Sequence, residues 1–500
     1  MFIWFFVAIF IYGICVGLFH IYIRRISSQQ NNFHVHCPPV ILEPWFCPFL
    51  GPFLSLFDLQ SAVKKWTEKY GSNFTLFILG KSYTFITKYE DVKRYYHARE
   101  EVLSMSQAAH RLLGSAYPES QYLVEYSVVP YLHRLFTSEN LSQMLRNTSK
   151  VIEDYFNHEN GRFWSENGKD EVVVDLFEFM HRLIVRMNSI NFISSQLYQT
   201  HPEELIDLFT TLYVDKSFLS AMTEGIQKRL GMKTKKEIAW QRWMHLLQPE
   251  IDRCLNMLEN NQLPNEFDIV YENVKYSKEE LKKRGEEFTP RLVSYYAYTS
   301  IVPAQLNTYT TASYLVLEWI RHQHDEIGEQ IREEIDRTRT ENERTIESLN
   351  SMDYLQSCLY EIIRMRTDFL LSIRHASQIV PLSSDRFIPE GNFVITPMTG
   401  APDLYLHPEK FDPSRHFKPR EEMKADPYRA LPFGRGKHPC AGERYLKIQM
   451  KILLIRLTEF CQLELMEQSR DFEETINRKQ FTGLSRPTKP VFVKISRKLS

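Results

Sequence analysis

Apolar and polar positions alternate along this chain with different periods in different regions. Residues 2–23 form one apolar run without Asp, Glu, Lys or Arg, closed by Arg24-Arg25. At about 1.5 Å per residue, such a run crosses the hydrocarbon core of a bilayer as a helix. It has neither a basic leader nor a small-x-small cleavage site, so it is predicted to stay as an anchor. The arginines on its C-terminal side assign the rest of the chain to the cytosol. Pro38, Pro39, Pro44, Pro48 and Pro52 then make a stiff connector. Residues 74–80 and 83–87 read as a β-hairpin. From about 140 to 365 apolar residues recur mostly at helical spacing. Within that region a polar stretch near 260–290 reads as an exposed connector or a partly disordered insertion. Arg291 to His324 reads as one long helix, kinked by Pro303, and a further apolar-periodic helix follows Cys440. The pattern predicts a mainly α protein with small β-sheets (α+β). Its organisation is an anchor (1–25), a proline-rich connector (26–52) and a single catalytic domain (53–500), with no internal repeats.

Composition narrows the class. The 500 residues are 43% hydrophobic and 25% charged with a net charge of −1, and a mean hydropathy of −0.35 excludes a polytopic membrane protein. The neutral balance argues against a nucleic-acid partner. Seven cysteines (15, 37, 47, 254, 358, 440 and 461) include no C-x-x-C, and no His or second Cys stands at zinc spacing from any of them.

One cysteine stands apart. In Phe433-Gly-Arg-Gly436-Lys-His438-Pro-Cys440-Ala-Gly442 the sulfur sits just ahead of a helical segment, where the helix dipole and free backbone N–H groups favour a thiolate. Gly436 permits a sharp turn and Gly442 removes a side chain that would hold off a flat ligand. Phe433 can shield the sulfur. The alternative is a structural cysteine beside a Gly-rich turn. A single protein thiolate as metal ligand suits haem, whose porphyrin provides the remaining in-plane ligands.

The pattern Phe-x-x-Gly-x-His-x-Cys-x-Gly resembles the haem-binding signature of the cytochrome P450 family, with two departures. His438 stands where an Arg usually meets a haem propionate, and Pro439 directly precedes the cysteine. Glu361 and Arg364, then Arg415, then Cys440 follow in the order of that family's helix-K Glu-x-x-Arg, Pro-x-Arg-x-Phe segment and cysteine loop. The resemblance implies a cytochrome P450 fold, haem b ligated by Cys440, and a buried structural network of Glu361, Arg364 and Arg415. It also implies a propionate contact from Arg374 and a proline hinge after the anchor. The substrate pocket would be lined by 104–123, 205–243, the central helix, 369–371 and 481–484. That helix usually carries an acid followed by Thr, but here Asn307, Thr308 and Thr310 are the candidate oxygen and proton relay. An Ala-x-x-Asn arrangement resembles the branch of sterol and oxysterol hydroxylases and prostacyclin synthase.

Three functions follow from the resemblance. The favoured one is NADPH-dependent insertion of one oxygen atom into a lipophilic, sterol- or oxysterol-like substrate, with NADPH-cytochrome P450 reductase as partner. The second is an isomerase that rearranges a lipid peroxide without external electrons, and the third is a non-catalytic haem- or lipid-binding protein. Arg444, Lys447 and Lys451 share one helix face and form a candidate docking stripe for an acidic flavoprotein. The implied location is the endoplasmic reticulum membrane, single-pass, with the catalytic domain cytosolic. In that orientation the sequons at Asn73, Asn140 and Asn147 stay unglycosylated.

Overall fold

The computed structural model describes residues 37–41, 58–78, 80–113, 119–157, 161–213, 227, 230–264, 267–339, 344–367, 370–398, 404–428, 433–477 and 483–498, together with 14, 16–18 and 21. Most of the predicted anchor and most of the proline-rich connector lie outside these residues. Among the described residues no helix is long and apolar enough to cross a membrane.

Helices dominate, and three small sheets flank them. The largest sheet contains β1 (Val40–Ile41), β2 (Asn73–Ile78), β3 (Lys81–Ile86), β4 (Leu103–Ser104), β6 (Leu370–Ala376) and β9 (Phe393–Met398), in the order β1-β2-β3-β9-β6-β4. The predicted hairpin is the antiparallel pair β2–β3, in register from Asn73↔Ile86 to Ile78↔Lys81, and turned at Gly80 with φ +77°. A second sheet joins β5 (Glu171–Asp175) to β10 (Cys461–Leu465) through β11 (Phe492–Arg497). The third pairs β7 (Val380–Pro381) with β8 (Phe387–Ile388).

The helices that position the site are α1 (Tyr89–His97), α2 (Ser138–Phe156), α3 (Leu176–Phe192), α4 (Lys235–Glu259), α5 (Ile269–Arg284), α6 (Pro290–Ile301), α7 (Leu306–His322), α8 (Asp353–Arg366) and α9 (Glu443–Phe460). At the centre, α9 is buried continuously from Ile448 to Ile455, including Gln449 and Lys451. It packs on α2 and α7, while α3 packs along α7. The buried Lys451 ammonium donates to the Leu349 carbonyl at 2.8 Å, as burial of a cation requires.

Two expectations are corrected. Residues 269–284 are neither a connector nor an insertion but the helix α5, capped at its start by Asp268, whose carboxylate accepts from the Val270 and Tyr271 N–H groups. Its buried face includes Val270, Asn273, Val274, Ser277 and Leu281, and Asn273 donates to the Val293 carbonyl at 2.9 Å. The central helix is also not one kinked rod. It breaks into α6 and α7 around Pro303, with tight turns at Ala304 (N–H to the Ile301 carbonyl, 3.1 Å) and Gln305 (to Val302, 3.3 Å). Proline has no N–H and its ring collides with the preceding turn, so the helical ladder cannot pass through. The Ala304 carbonyl is satisfied instead by the Asn188 amide of α3 at 2.7 Å.

Candidate functional site

The cysteine loop is folded on itself and pressed against α1. The Cys440 N–H donates to the Phe433 carbonyl at 2.8 Å, and the Lys437 N–H to the Tyr96 carbonyl at 3.0 Å. Gly434 and Gly436 take φ of +68° and +74°, and a Cβ on Gly436 would lie 2.0 Å from the Tyr96 carbonyl oxygen. Glycine is therefore required there twice over, by conformation and by contact. Gly442 caps the N-terminus of α9, and a Cβ there would meet nothing nearer than the Cys440 sulfur at 4.0 Å. Cys440 is exposed as a residue, yet crowding by loop atoms raises its thiol pKa. The Gly442 and Glu443 N–H groups directed at the sulfur act in the opposite sense. A metal ligated by this sulfur would reverse that balance, because a coordinating thiol is deprotonated.

Behind the loop, Glu361 is fully buried at the junction of α8 with the 404–417 segment. Arg364 meets it with Nε and Nη2, both at 2.8 Å. Arg415 adds a contact at 2.9 Å, the Asp412 N–H donates at 3.2 Å, and His416 lies at 3.4 Å. Burial pushes the Glu361 pKa upward, but the hydrogen bonds from Arg364, His416 and Arg415 outweigh it and hold the carboxyl at about 2. Arg364 also donates to the Pro408 carbonyl at 2.8 Å, and Arg415 to those of His407 at 2.6 Å and Lys410 at 3.1 Å. One carboxylate thus fastens an irregular segment to a helix, as the bidentate guanidinium fork allows. Next to Glu361, Tyr360 carries this order to the cysteine loop. Its ring meets Phe433 edge-on at 6.2 Å, with the Lys447 ammonium 5.0 Å above Tyr360 and 5.8 Å above Phe433.

Arg374 and His438 already have protein partners. Arg374, buried in β6, donates to the Tyr95 carbonyl and lies over the Tyr95 ring at 4.3 Å; burial lowers its pKa. The His438 Nε2 is 3.2 Å from Glu100. Burial raises the Glu100 pKa, but hydrogen bonds from His438, Ser104 and the Ser106 and Met105 N–H groups bring it to about 2. Glu100 is absent from the sequence-based set, because no spacing rule links it to a residue so far along the chain.

Along the central helix the described side chains from 292 to 319 are buried except at Pro303, Ala304 and Asn307. Thr308 and Thr310 are buried. Thr310 and Thr311 fall on the face of Asn307, three and four residues on, whereas Thr308 is rotated away from it. The Asn307 side-chain oxygen accepts the Leu484 N–H at 3.2 Å, and its carbonyl accepts the Thr311 hydroxyl at 2.7 Å. No Asp or Glu occurs between Pro290 and Leu317. The first acid, Glu318, is 3.4 Å from the buried Arg366. The expected docking stripe is broken up: Arg444 is exposed, Lys447 pairs with Glu443, and Lys451 is inside the core. Of the expected pocket, residues 114–118, 214–226, 228–229, 369, 481 and 482 lie outside the described residues.

These residues fit a thiolate-ligated haem. An accessible thiol at the start of α9, an unobstructed Gly442 beside it, and an opening in the otherwise buried central helix on a neighbouring element suit a flat group placed between them.

Comparison with known proteins agrees with this chemistry. The cytochrome P450 family model matches residues 42–495. Cytochrome P450 26B1 of Xenopus tropicalis is 24% identical over 426 residues, covering 82% of this chain and 77% of the relative. The cytochrome P450 monooxygenase nsrP of Aspergillus novofumigatus is 39% identical over 110 residues, 21% of each chain. Among solved structures, retinoic acid-bound cyanobacterial CYP120A1 superposes with a TM-score of 0.67 at 18% identity, covering 94% of this chain and all of the other.

Proposed function

The chain belongs to the cytochrome P450 family, and on that premise we propose that it inserts one oxygen atom from O2 into a lipophilic, sterol- or oxysterol-like small molecule. Haem held by Cys440 supplies oxygen activation, the thiolate favouring O–O cleavage. The observation that carries this reading is the exposed Cys440 at the N-terminus of α9, on a loop braced through Tyr360 by the Glu361 cluster. The electrons come from NADPH through NADPH-cytochrome P450 reductase. Arg435, Lys437 and Arg444, exposed around the loop, offer cations to that acidic flavoprotein in place of the buried Lys451. Arg374 and His438 hold the haem propionates by exchanging their present partners, and Glu361, Arg364 and Arg415 act as structure. The apolar segment 2–23 anchors the catalytic domain on the cytosolic face of the endoplasmic reticulum.

An observation also supports the isomerase reading. The middle of the central helix has no carboxylate, and monooxygenation consumes two protons, whereas rearranging a lipid peroxide consumes none. Both readings use the same thiolate. One experiment separates them: purified protein with reductase and NADPH is offered sterols, oxysterols, fatty acids and retinoic acid, and separately a lipid endoperoxide without reductant. Hydroxylated product from the first set supports the proposal. Endoperoxide turnover alone replaces it with the isomerase, and binding without turnover in either replaces it with a carrier. The Cys440→Ala protein is the control, expected to lose the Soret band that the reduced, carbon-monoxide-treated wild type shows for sulfur-ligated haem.

A further inference from the structure

The C-terminal turn at 483–486 is tied to the central helix at three points. The Leu484 N–H donates to the Asn307 side-chain oxygen at 3.2 Å, and the Ser485 carbonyl accepts the Tyr314 hydroxyl at 3.0 Å. Arg486 donates to the Tyr309 hydroxyl; the Ser485 N–H goes to the Arg366 carbonyl at the end of α8 at 2.8 Å, and the Arg486 carbonyl accepts the Asn477 N–H at 2.8 Å. Gly483, Leu484 and Ser485 are buried. Arg366 in turn grips Glu473, on the same C-terminal segment, with two contacts of 2.7 Å. The turn is closed at its base by the Asn477–Arg486 bond and the Ile476–Pro487 bridge, and at Leu484 and Ser485 the partners above satisfy its backbone groups. Asn307 is the exception among them, because it alone is also exposed, at the opening where the central helix breaks. Its oxygen is engaged by the turn, which leaves its –NH2 to face a ligand.

We propose that Asn307 is a positioning residue, whose side-chain oxygen pins the turn at Leu484 to the rim of the helix break and so sets the shape of the substrate opening. On this reading Asn307 determines which lipophilic molecules fit and does not relay protons. The inference rests on the haem-thiolate reading above and deepens it. Asn307 and Tyr314 act on the same turn from two points, and Tyr314, fully buried, touches no ligand itself.

The test uses full-length haem-loaded protein and two neutral probes that ligate haem iron, imidazole and the bulkier 1-phenylimidazole, each titrated by its spectral shift. The readout is the ratio of their dissociation constants. Asn307→Ala and Tyr314→Phe are each expected to change that ratio about three- to tenfold, the range for one lost hydrogen bond, in the same direction. The double variant should change it by less than the product of the two. Asn307→Asp, whose carboxylate accepts the same N–H, is expected to stay within about twofold of wild type. Ratios within twofold in both Asn307→Ala and Tyr314→Phe, or full additivity, overturn the proposal. So does Asn307→Asp behaving like Asn307→Ala. A merely structural role would lower the melting temperature and leave the ratio unmoved. Loss of the sulfur-ligated carbon-monoxide band in wild type would instead refute the haem-thiolate reading, which separates the two failures.

Discussion

Replacing Glu361 with Gln removes one negative charge and one acceptor from a site with no access to water. The side chain keeps its size, so the change is electrostatic. Arg415 is fully buried and Arg364 nearly so; Arg364 loses the carboxylate that compensates it, while Arg415 keeps Glu422 at 3.3 Å. Breaking a buried ion pair by removing one partner costs about 3–5 kcal/mol, because the other charge stays behind. The pKa offers an independent route to the magnitude. Glu361 falls from 4.5 to about 2 in the fold, and at about 1.4 kcal/mol per pH unit this corresponds to about 3 kcal/mol. Since the folded value is the lower one, this contribution is complete above the unfolded value and is lost as pH falls from about 4.5 toward 2. The assay is urea unfolding followed by tryptophan fluorescence and by the Soret band, at pH 7 and at stepped lower pH. Glu361→Gln is expected to lose about 3 kcal/mol at pH 7 and to show a shallower loss than wild type on acidification. A variant within about 1 kcal/mol of wild type at pH 7, with an unchanged acid profile, would refute the reasoning.

Two further outcomes follow from the cysteine loop and the core. Gly168→Ala meets open space and pays only for its left-handed φ of +64°, about 1 kcal/mol. Gly436→Ala must also displace the Tyr96 carbonyl and should cost at least twice that and lower haem retention, as melting curves and the haem-to-protein absorbance ratio would reveal. Lys451 is held by burial at about 8 instead of 10.5, so wild-type stability should rise between pH 8 and 10.5 by up to about 3 kcal/mol. Lys451→Met, at the same place and nearly the same length, should abolish that rise; a parallel pH profile in both proteins would exclude burial as its cause.

Local patterns were the readable ones. The cysteine loop, the β2–β3 hairpin and the Glu361–Arg364 pair each involve neighbours in the chain, and their spacing carries their geometry. Arg415 was reachable only through the order of the segments. By contrast, α5 escaped detection because Asn273 and Ser277 occupy core positions, which interrupts the apolar stripe that marks a helix. The pairings of His438 with Glu100 and of Arg366 with Glu473 join distant segments, and no periodicity announces them. The charge stripe on α9 failed for a related reason. Spacing alone placed Lys451 beside Arg444, but α9 is buried on every side from Ile448 to Ile455, and a lysine stem buries readily once its ammonium finds a carbonyl.

The Asn188 amide touches both sides of the proposed haem site at once. Its nitrogen holds the Ala304 carbonyl at the broken central helix, while its oxygen accepts the Tyr445 hydroxyl at 2.8 Å and the Gln449 amide at 2.9 Å, on the helix that begins beside Cys440. One side chain therefore works as a spacer, fixing the separation of ceiling and floor by protein contacts alone. A side chain of another length or polarity at this position would loosen both helices at once.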